Sequence, residues 1–119
     1  MTAAELRVIR ERLGITGEWL AAYLGVQGRT WRRWEAGTSP IPDAVTRALE
    51  ELTAMTEGAA AQIVAQLRDT TDPAVIVYRT DEDYWRANPG DARLASWHRA
   101  VAARVLEEIP DLHIDYREA

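Results

Sequence analysis

The sequence predicts a mainly α-helical protein with a small α+β part at its C-terminus. Before Pro73, apolar residues recur at helical spacing between residues that favour helix ends. After Pro73 the pattern changes to short β-branched and alternating segments, which are typical of strands. The chain of 119 residues is 47% hydrophobic and 28% charged. We therefore expect one folded domain, or one small domain with an appended element.

Three helices are predicted before residue 40, each marked by its end signals. Thr2 and Glu5 form a capping box that opens a helix of about residues 3–13. Thr16 caps the second helix, and the third covers residues 28–36. A glycine, which adopts the left-handed conformation readily, is predicted to end each of them: Gly14, Gly25 and Gly37.

The later elements follow from breaks and changes of period. Asp43 is predicted to cap a fourth helix that reaches Arg68, as one long helix or as two consecutive ones. Beyond a break at residues 69–73 we predict a strand at 74–79, a helical turn at 81–85, a helix at about 92–108 capped by Asp91, and a strand at 112–116. The expected domains are residues 1–57 and 58–119.

Charge is distributed unevenly along the chain. The net charge of −5 argues against a nucleic-acid-binding protein. However, residues 1–42 contain six arginines and four carboxylates, a balance of +2, while residues 43–119 contain eight arginines and fifteen carboxylates, a balance of −7. The acidic C-terminal part therefore masks a basic segment in the total. All 14 basic residues are arginine.

Several function classes have no support in the sequence. The absence of cysteine excludes a disulfide scaffold, a thiolate metal site and thiol catalysis. His98 and His113 are isolated, and Ser39 and Ser96 lack a partner set for nucleophilic catalysis. We expect no enzyme activity, no metal and no cofactor. The chain has no apolar run long enough to span a membrane and no signal peptide, so we expect a cytoplasmic protein without a membrane partner.

Residues 16–37 have the layout of a helix-turn-helix. Ala21 supplies a small side chain where the two helices cross, and Gly25 supplies the positive φ of the turn. Trp31 and Trp34 are predicted to lie on the inner side of the second helix. The other side carries polar residues, Arg29, Thr30, Arg32 and Arg33.

The chain resembles two known groups of proteins. The segments that resemble the lambda-repressor/Cro-like (XRE) helix-turn-helix family are Leu13-Gly14-Ile15-Thr16, Leu20-Ala21, Leu24-Gly25-Val26 and Trp34-Glu35-Ala36-Gly37. That resemblance covers about residues 4–52 and implies a bundle of four to five helices. Within the family, the chain is similar to the anti-CRISPR-associated phage autorepressors in Trp31, Trp34, the strand at 74–79, Asp83-Tyr84-Trp85, Asn88-Pro89 and Ser96-Trp97.

The resemblance implies a homodimeric repressor that binds a palindromic operator and represses its own operon. Its base-reading positions fall on Arg29, Arg32 and Arg33, whose planar guanidinium groups suit guanine. Secondary or phosphate contacts are expected from Thr16, Gly17, Gln27, Gly28, Thr30 and Thr38. The family usually has glutamine where this chain has Gly17, so a phosphate contact there must come from the backbone N–H or be lost.

The C-terminal part is expected to form the dimer through its two strands and the helix at 92–108, because two short apolar strands do not have enough partners within one subunit. The candidate interface residues are Val75, Val77, Tyr78, Trp97, Val101, Ile114 and Tyr116. The expected partners are an inverted-repeat DNA operator and a second copy of the chain. Two alternatives stay open: an antitoxin whose acidic C-terminal part neutralises a toxin, and an RNA-binding translational regulator.

Overall fold

A computed structural model describes residues 1–117 of the chain. Over that range the order of elements is α1 (Ala3–Leu13), α2 (Gly17–Leu24), α3 (Gly28–Ala36), α4 (Asp43–Leu67), β1 (Ala74–Val77), α5 (Asp81–Ala87), α6 (Ala95–Glu108) and β2 (His113–Tyr116). The prediction of a mainly helical protein with a small strand-containing C-terminal part is confirmed. The chain divides into two compact units between Ala54 and Met55. None of the helices described is both long and apolar enough to cross a membrane.

The first three helices begin and end where the sequence predicts. The Thr2 hydroxyl accepts a hydrogen bond from the backbone N–H of Glu5, and the Glu5 carboxylate accepts one from the Thr2 N–H. The Thr16 hydroxyl accepts from the N–H of Trp19 at 3.0 Å. Each of the three helices ends on a glycine in the left-handed conformation. These contacts span at most five residues, which is why the sequence alone predicts them.

The core of the first unit is built from one face of each helix. Its buried apolar residues are Leu6, Leu13, Ile15, Leu20, Ala21, Trp34, Val45, Leu49 and Leu52. The buried residues of α4 are spaced by four and three residues, and those of α1 by seven, about two turns, so each of these helices has one apolar stripe. Burial of these stripes fixes which face of each helix remains outside.

The fourth helix is a single element of 25 residues. The division between the two units therefore falls within it. Asp43 was predicted to cap this helix, but it lies inside the first turn instead. There its carboxylate still faces the positive end of the helix dipole.

In the second unit, β1 and β2 pair in parallel, with Val75 opposite Ile114 and Val77 opposite Tyr116. Each of the two strands therefore has the other as its partner within a single chain. β1 ends at Val77 rather than at residue 79. The next side chain, Tyr78, is buried and its ring lies 5.5 Å from that of Tyr84 and 5.6 Å from that of His98.

The helices of the second unit also differ from the prediction at their ends. α5 is capped by Thr80 and continues to Ala87, past the predicted turn at residues 81–85. α6 begins at Ala95 rather than near residue 92, and Asp91 is not its cap. Instead the carboxylate of Asp81 accepts a hydrogen bond from the Ala95 N–H at 2.8 Å, so that the cap comes from a residue distant in sequence.

Asp91 has a different set of partners. Its carboxylate accepts hydrogen bonds from Arg93 Nε at 2.8 Å and Nη2 at 2.7 Å, and from the Tyr84 hydroxyl at 2.5 Å. The hydrogen bonds from Arg93 lower the pKa of Asp91 far below its usual range. Burial, followed by the hydrogen bond to Asp91, raises the pKa of Tyr84. The Arg93 guanidinium also lies 3.9 Å from the centre of the Trp97 ring.

Candidate nucleic-acid interface

The helix α3 has one buried and one exposed side. Trp34 is 6% exposed and packs into the core of the first unit, as the sequence predicts. The side chains of Arg29, Arg32 and Arg33 are exposed. With no acidic residue in its first turn, the exposed side of α3 begins as a positively charged surface.

Two of the three arginines come together at the N-terminal end of α3. Arg29 Nε donates a hydrogen bond to Gln27 Oε1 at 2.8 Å, which holds its side chain against the residue preceding the helix. The guanidinium of Arg32 reaches back along the helix to Gly28, because a Cβ atom built on Gly28 would lie 3.0 Å from Arg32 Nη1. The structure thus brings both side chains to the N-terminal end of α3, where no side chain caps the helix and its dipole is positive. All of these groups attract an anion or a hydrogen-bond acceptor.

Arg33 lies in the last turn of the same helix. Its carbonyl accepts hydrogen bonds from the Thr38 N–H at 3.0 Å and from the Thr38 hydroxyl at 3.3 Å. Thr38 is therefore tied to the end of α3. The two residues are exposed and neighbour each other at the opposite end of the helix from Gln27.

The remaining candidate contact residues differ in exposure. Thr16 and Gln27 are exposed at the first turns of α2 and α3, whereas Thr30 is half-buried. Gly17 is buried, because the Trp31 ring lies directly over it. No sequence pattern indicates this contact, since the two residues lie on different helices.

Arg10 has a role that the sequence prediction missed. Its Nε donates to the Glu35 carboxylate at 2.9 Å and its Nη1 to the Ile15 carbonyl at 3.0 Å. The side chains of Arg10 and Glu35 are each only 14% exposed. Arg10 thereby ties α1 to α3 and to the segment before α2. An arginine at an apolar position of the α1 stripe is the signal that could have revealed it.

The candidate dimerisation residues fall into two groups. Val77, Tyr78, Trp97 and Val101 are buried within the second unit of a single chain, so they have little surface left for a partner. Val75, Ile114 and Tyr116 are half-buried on one face of the sheet. Ile114 and Tyr116 line an open groove of about 430 Å³, together with Ala103 and Leu106 of α6. Leu106 is 39% exposed.

The two histidines do not form a metal site with other ligands. His98 packs against the rings of Tyr78 and Tyr84, and His113 is exposed beside Asp115. Across residues 1–117, no group of three or more histidines and carboxylates could hold a metal ion.

These features define a small helical protein whose N-terminal unit displays arginines on a short helix and whose C-terminal unit is α+β. The family model described as Aca2/YdiL-like matches residues 1–112. The chain is also 31% identical over 106 residues to the Aca2 repressor of Pectobacterium phage ZF40, covering 87% of this chain and 90% of that protein. The chain belongs to the Aca2/YdiL-like family. The resemblance to anti-CRISPR-associated phage repressors is confirmed.

Proposed function

We propose that this protein is a transcriptional repressor of the phage type that acts by binding double-stranded DNA. Its relative from Pectobacterium phage ZF40 carries the name of a repressor and matches it over most of both chains. A regulatory role accounts for the absence of a catalytic set in the sequence. The observation on which the DNA-binding role depends most is the pair of guanidinium groups at the N-terminal end of α3.

In this proposal α2, the turn at residues 25–27 and α3 form the helix-turn-helix. Such a motif places the second helix in the major groove, with its N-terminal residues at the base edges. Arg29 and Arg32 lie at that end and would read guanine through O6 and N7, while Arg33 would read a base or bind phosphate. Thr16, Gly17, Gln27, Gly28, Thr30 and Thr38 are the proposed secondary or phosphate contacts.

We further propose that the protein binds as a homodimer through residues 58–119, with residues 1–57 forming the DNA-binding domain. One helix-turn-helix reads only a half-site, and two-fold symmetry in the protein corresponds to a palindrome in the operator. Occupation of the promoter of its own operon by this dimer would block transcription. Val75, Ile114 and Tyr116, with the groove beside them, are the proposed contacts that remain accessible in one chain.

The proposed function is tested by selecting bound sequences from a random duplex pool with the full-length protein. The expected result is an inverted repeat whose half-sites lie about one helical turn apart. A single unpaired site would contradict the dimer, and no enriched sequence would contradict sequence-specific binding. Adding the leader transcript of the operon as a competitor tests the alternative of RNA binding, which tighter binding to the transcript would support.

The selected duplex then tests the role of Arg29. Arg29→Ala is expected to lower specific affinity by about 1–3 kcal/mol and to relax the preference at one base pair. Arg68→Ala, which removes an exposed arginine of the second unit, is the control and should leave that preference unchanged. Equal weakening on specific and non-specific duplex would make Arg29 a phosphate contact instead.

A further inference from the structure

Trp31 and Gly17 fit together more closely than any other glycine contact in the first unit. A Cβ atom built on Gly17 would lie 2.2 Å from both Cη2 and Cζ2 of Trp31 and 2.5 Å from its Cε2. Ordinary contacts of a Cβ begin at 3.4 Å. The outer edge of the indole therefore occupies the space that any side chain at residue 17 would need.

The backbone does not account for a glycine at this position. Gly17 is the first residue of α2, and its φ is not positive, unlike those of Gly14, Gly25 and Gly37. Any residue adopts this helical conformation, and glycine is a poor choice for a helix because of its backbone entropy. What requires glycine here is the Trp31 ring.

The Trp31 ring is held by packing rather than by a hydrogen bond. Trp31 Nε1 is buried and has no hydrogen-bond partner among the described residues. The Arg10 guanidinium lies 5.9 Å from the ring centre, within the range of a cation–π contact, and is itself fixed by Glu35 and Ile15. The indole is thus enclosed between the first turn of α2 and a braced arginine of α1.

We propose that Trp31 is the positioning residue for α3, and that Gly17 is the receptor for its ring. This rests on the proposed DNA-binding function. Trp31 lies on α3 between Arg29 and Arg32, so the depth of its ring against α2 sets where both guanidinium groups stand. Base recognition depends on such placement to within roughly 0.5 Å. A Cβ at residue 17 would lie 2.2 Å from the Trp31 ring, and the ring would have to move until that distance approaches 3.4 Å. This movement is larger than the tolerance.

Gly17 on α2 and Trp31 on α3 brace the two helices by direct packing. The two positions should therefore tolerate change only together.

The test is a double-mutant cycle in the full-length protein with Gly17→Ala, Trp31→Leu and the double variant. Leucine lacks the three indole atoms that approach residue 17. Gly58→Ala is the matched control, because Gly58 is also helical but has no atom within 4 Å of an added Cβ. Each protein is measured for its folded fraction by circular dichroism, and for affinity on the selected operator and on a scrambled duplex.

Gly17→Ala is expected to lose roughly tenfold in the ratio of specific to scrambled affinity per folded molecule, equivalent to about 1.4 kcal/mol. The double variant should regain most of that ratio, and Gly58→Ala should keep all of it. A change in stability alone would leave the ratio intact, so an unchanged ratio in folded Gly17→Ala overturns the positioning role. If Gly17→Ala does not fold, its effect in the Trp31→Leu background decides: equal ratios in Trp31→Leu and the double variant support the coupling, and a further loss in the double variant overturns it.

Failure of the proposed function gives a different result. If the unaltered protein does not distinguish operator from scrambled duplex, the DNA-binding function itself is wrong, and the positioning role is overturned with it. If the unaltered protein distinguishes them and the cycle shows no coupling, only the positioning role is overturned.

Discussion

Arg10 occupies an apolar position of α1, and its burial is possible because its guanidinium has a carboxylate and a carbonyl as partners. The ion pair with Glu35 and the hydrogen bond to the Ile15 carbonyl compensate for removal of the guanidinium from water. The net contribution of such an ion pair to stability is modest. The free-energy cost of leaving one member buried without its partner is larger. The environment of Arg10 therefore makes Glu35 a residue on which the first unit depends.

We predict that Glu35→Ala lowers the free energy of unfolding by about 2–3 kcal/mol, because it leaves a largely buried guanidinium without its carboxylate. Urea denaturation measures the change. Glu11→Ala is the control, since Glu11 and Arg7 form an exposed pair at 3.6 Å and should contribute less than about 0.5 kcal/mol. Equal losses in the two variants would show that Arg10 is not effectively buried.

In the second unit, His98 is likewise an ionisable residue that is partly buried. Its ring lies 5.2 Å from that of Tyr84, and its Nδ1 is buried without a hydrogen-bond partner in the part of the chain that the structure describes. Burial lowers the pKa of His98, and the positive charges of Arg93 and Arg99 act in the same direction, against the opposing charge of Asp91. The folded protein therefore favours the neutral imidazole.

A lowered pKa in the folded state gives a definite sign for the pH dependence of stability. The contribution of His98 is complete above the unfolded pKa of 6.5 and is lost as pH falls through that value towards the lower folded pKa. We predict a decline of at most about 1.4 kcal/mol per pH unit in this window. His98→Phe should flatten the decline, as measured by urea denaturation between pH 5 and 7.5. His113→Phe, at an exposed position, should retain it.

At the scale of the elements, the sequence predicted what local contacts determine. The ends of α1, α2 and α3 depend on side chains and glycines within a few residues, and all three helices were predicted correctly. The start of α6 depends on Asp81, fourteen residues before the backbone group that it caps. The choice of Asp91 as cap was wrong because Arg93 and Tyr84 already occupy its carboxylate.

The candidate site shows the same difference between local contacts, which were predicted, and contacts between helices, which were not. Arg29, Arg32 and Arg33 were predicted from the resemblance to the XRE family, and all three are exposed on α3. The contact between Trp31 and Gly17 joins two helices, and no pattern within either helix indicates it. Gly17 could only be interpreted as the loss of a side chain, although its burial under the indole is a gain in packing.

Alanine substitutions at two glycines are expected to change the free energy of unfolding in opposite directions. Gly58 lies inside α4, and Gly25 ends α2 with a φ of 73°; an added Cβ meets no atom within 4 Å at either position. Only the backbone conformation therefore distinguishes them. Gly58→Ala should raise the free energy of unfolding by about 0.5–1 kcal/mol, and Gly25→Ala should lower it by about 1–2 kcal/mol. Thermal unfolding measures both, and a stabilising Gly25→Ala would contradict the explanation.

At the scale of the whole molecule, the charge is negative although the proposed DNA-binding surface is positive. The balance of −7 over residues 43–119 outweighs that of +2 over residues 1–42. A negative total weakens non-specific attraction to the phosphate backbone, so that discrimination depends on a few directed side chains. This arrangement suits a repressor that must find one operator among many other sequences.

The small sheet of the second unit has two faces that differ in what they can bury. Alternation along the parallel strands places two sets of residues on opposite faces. One set is Val75, Val77, Ile114 and Tyr116, and the other is Ala74, Ile76, His113 and Asp115. The first face borders the open groove with Leu106. The second carries polar residues together with the exposed Ile76. A dimer contact is therefore favoured on the first face.

We predict that the protein sediments at tens of micromolar with twice its chain mass of 13.4 kDa. Leu106→Arg places a charge in the proposed interface from an already exposed position, so it should give a folded monomer. Ile76→Arg, on the opposite face of the sheet, is the control and should remain a dimer. A monomeric unaltered protein would disprove the homodimer, while dissociation by Ile76→Arg alone would move the interface to the polar face. Operator affinity should fall with dimer dissociation, because a monomer contacts only one half-site.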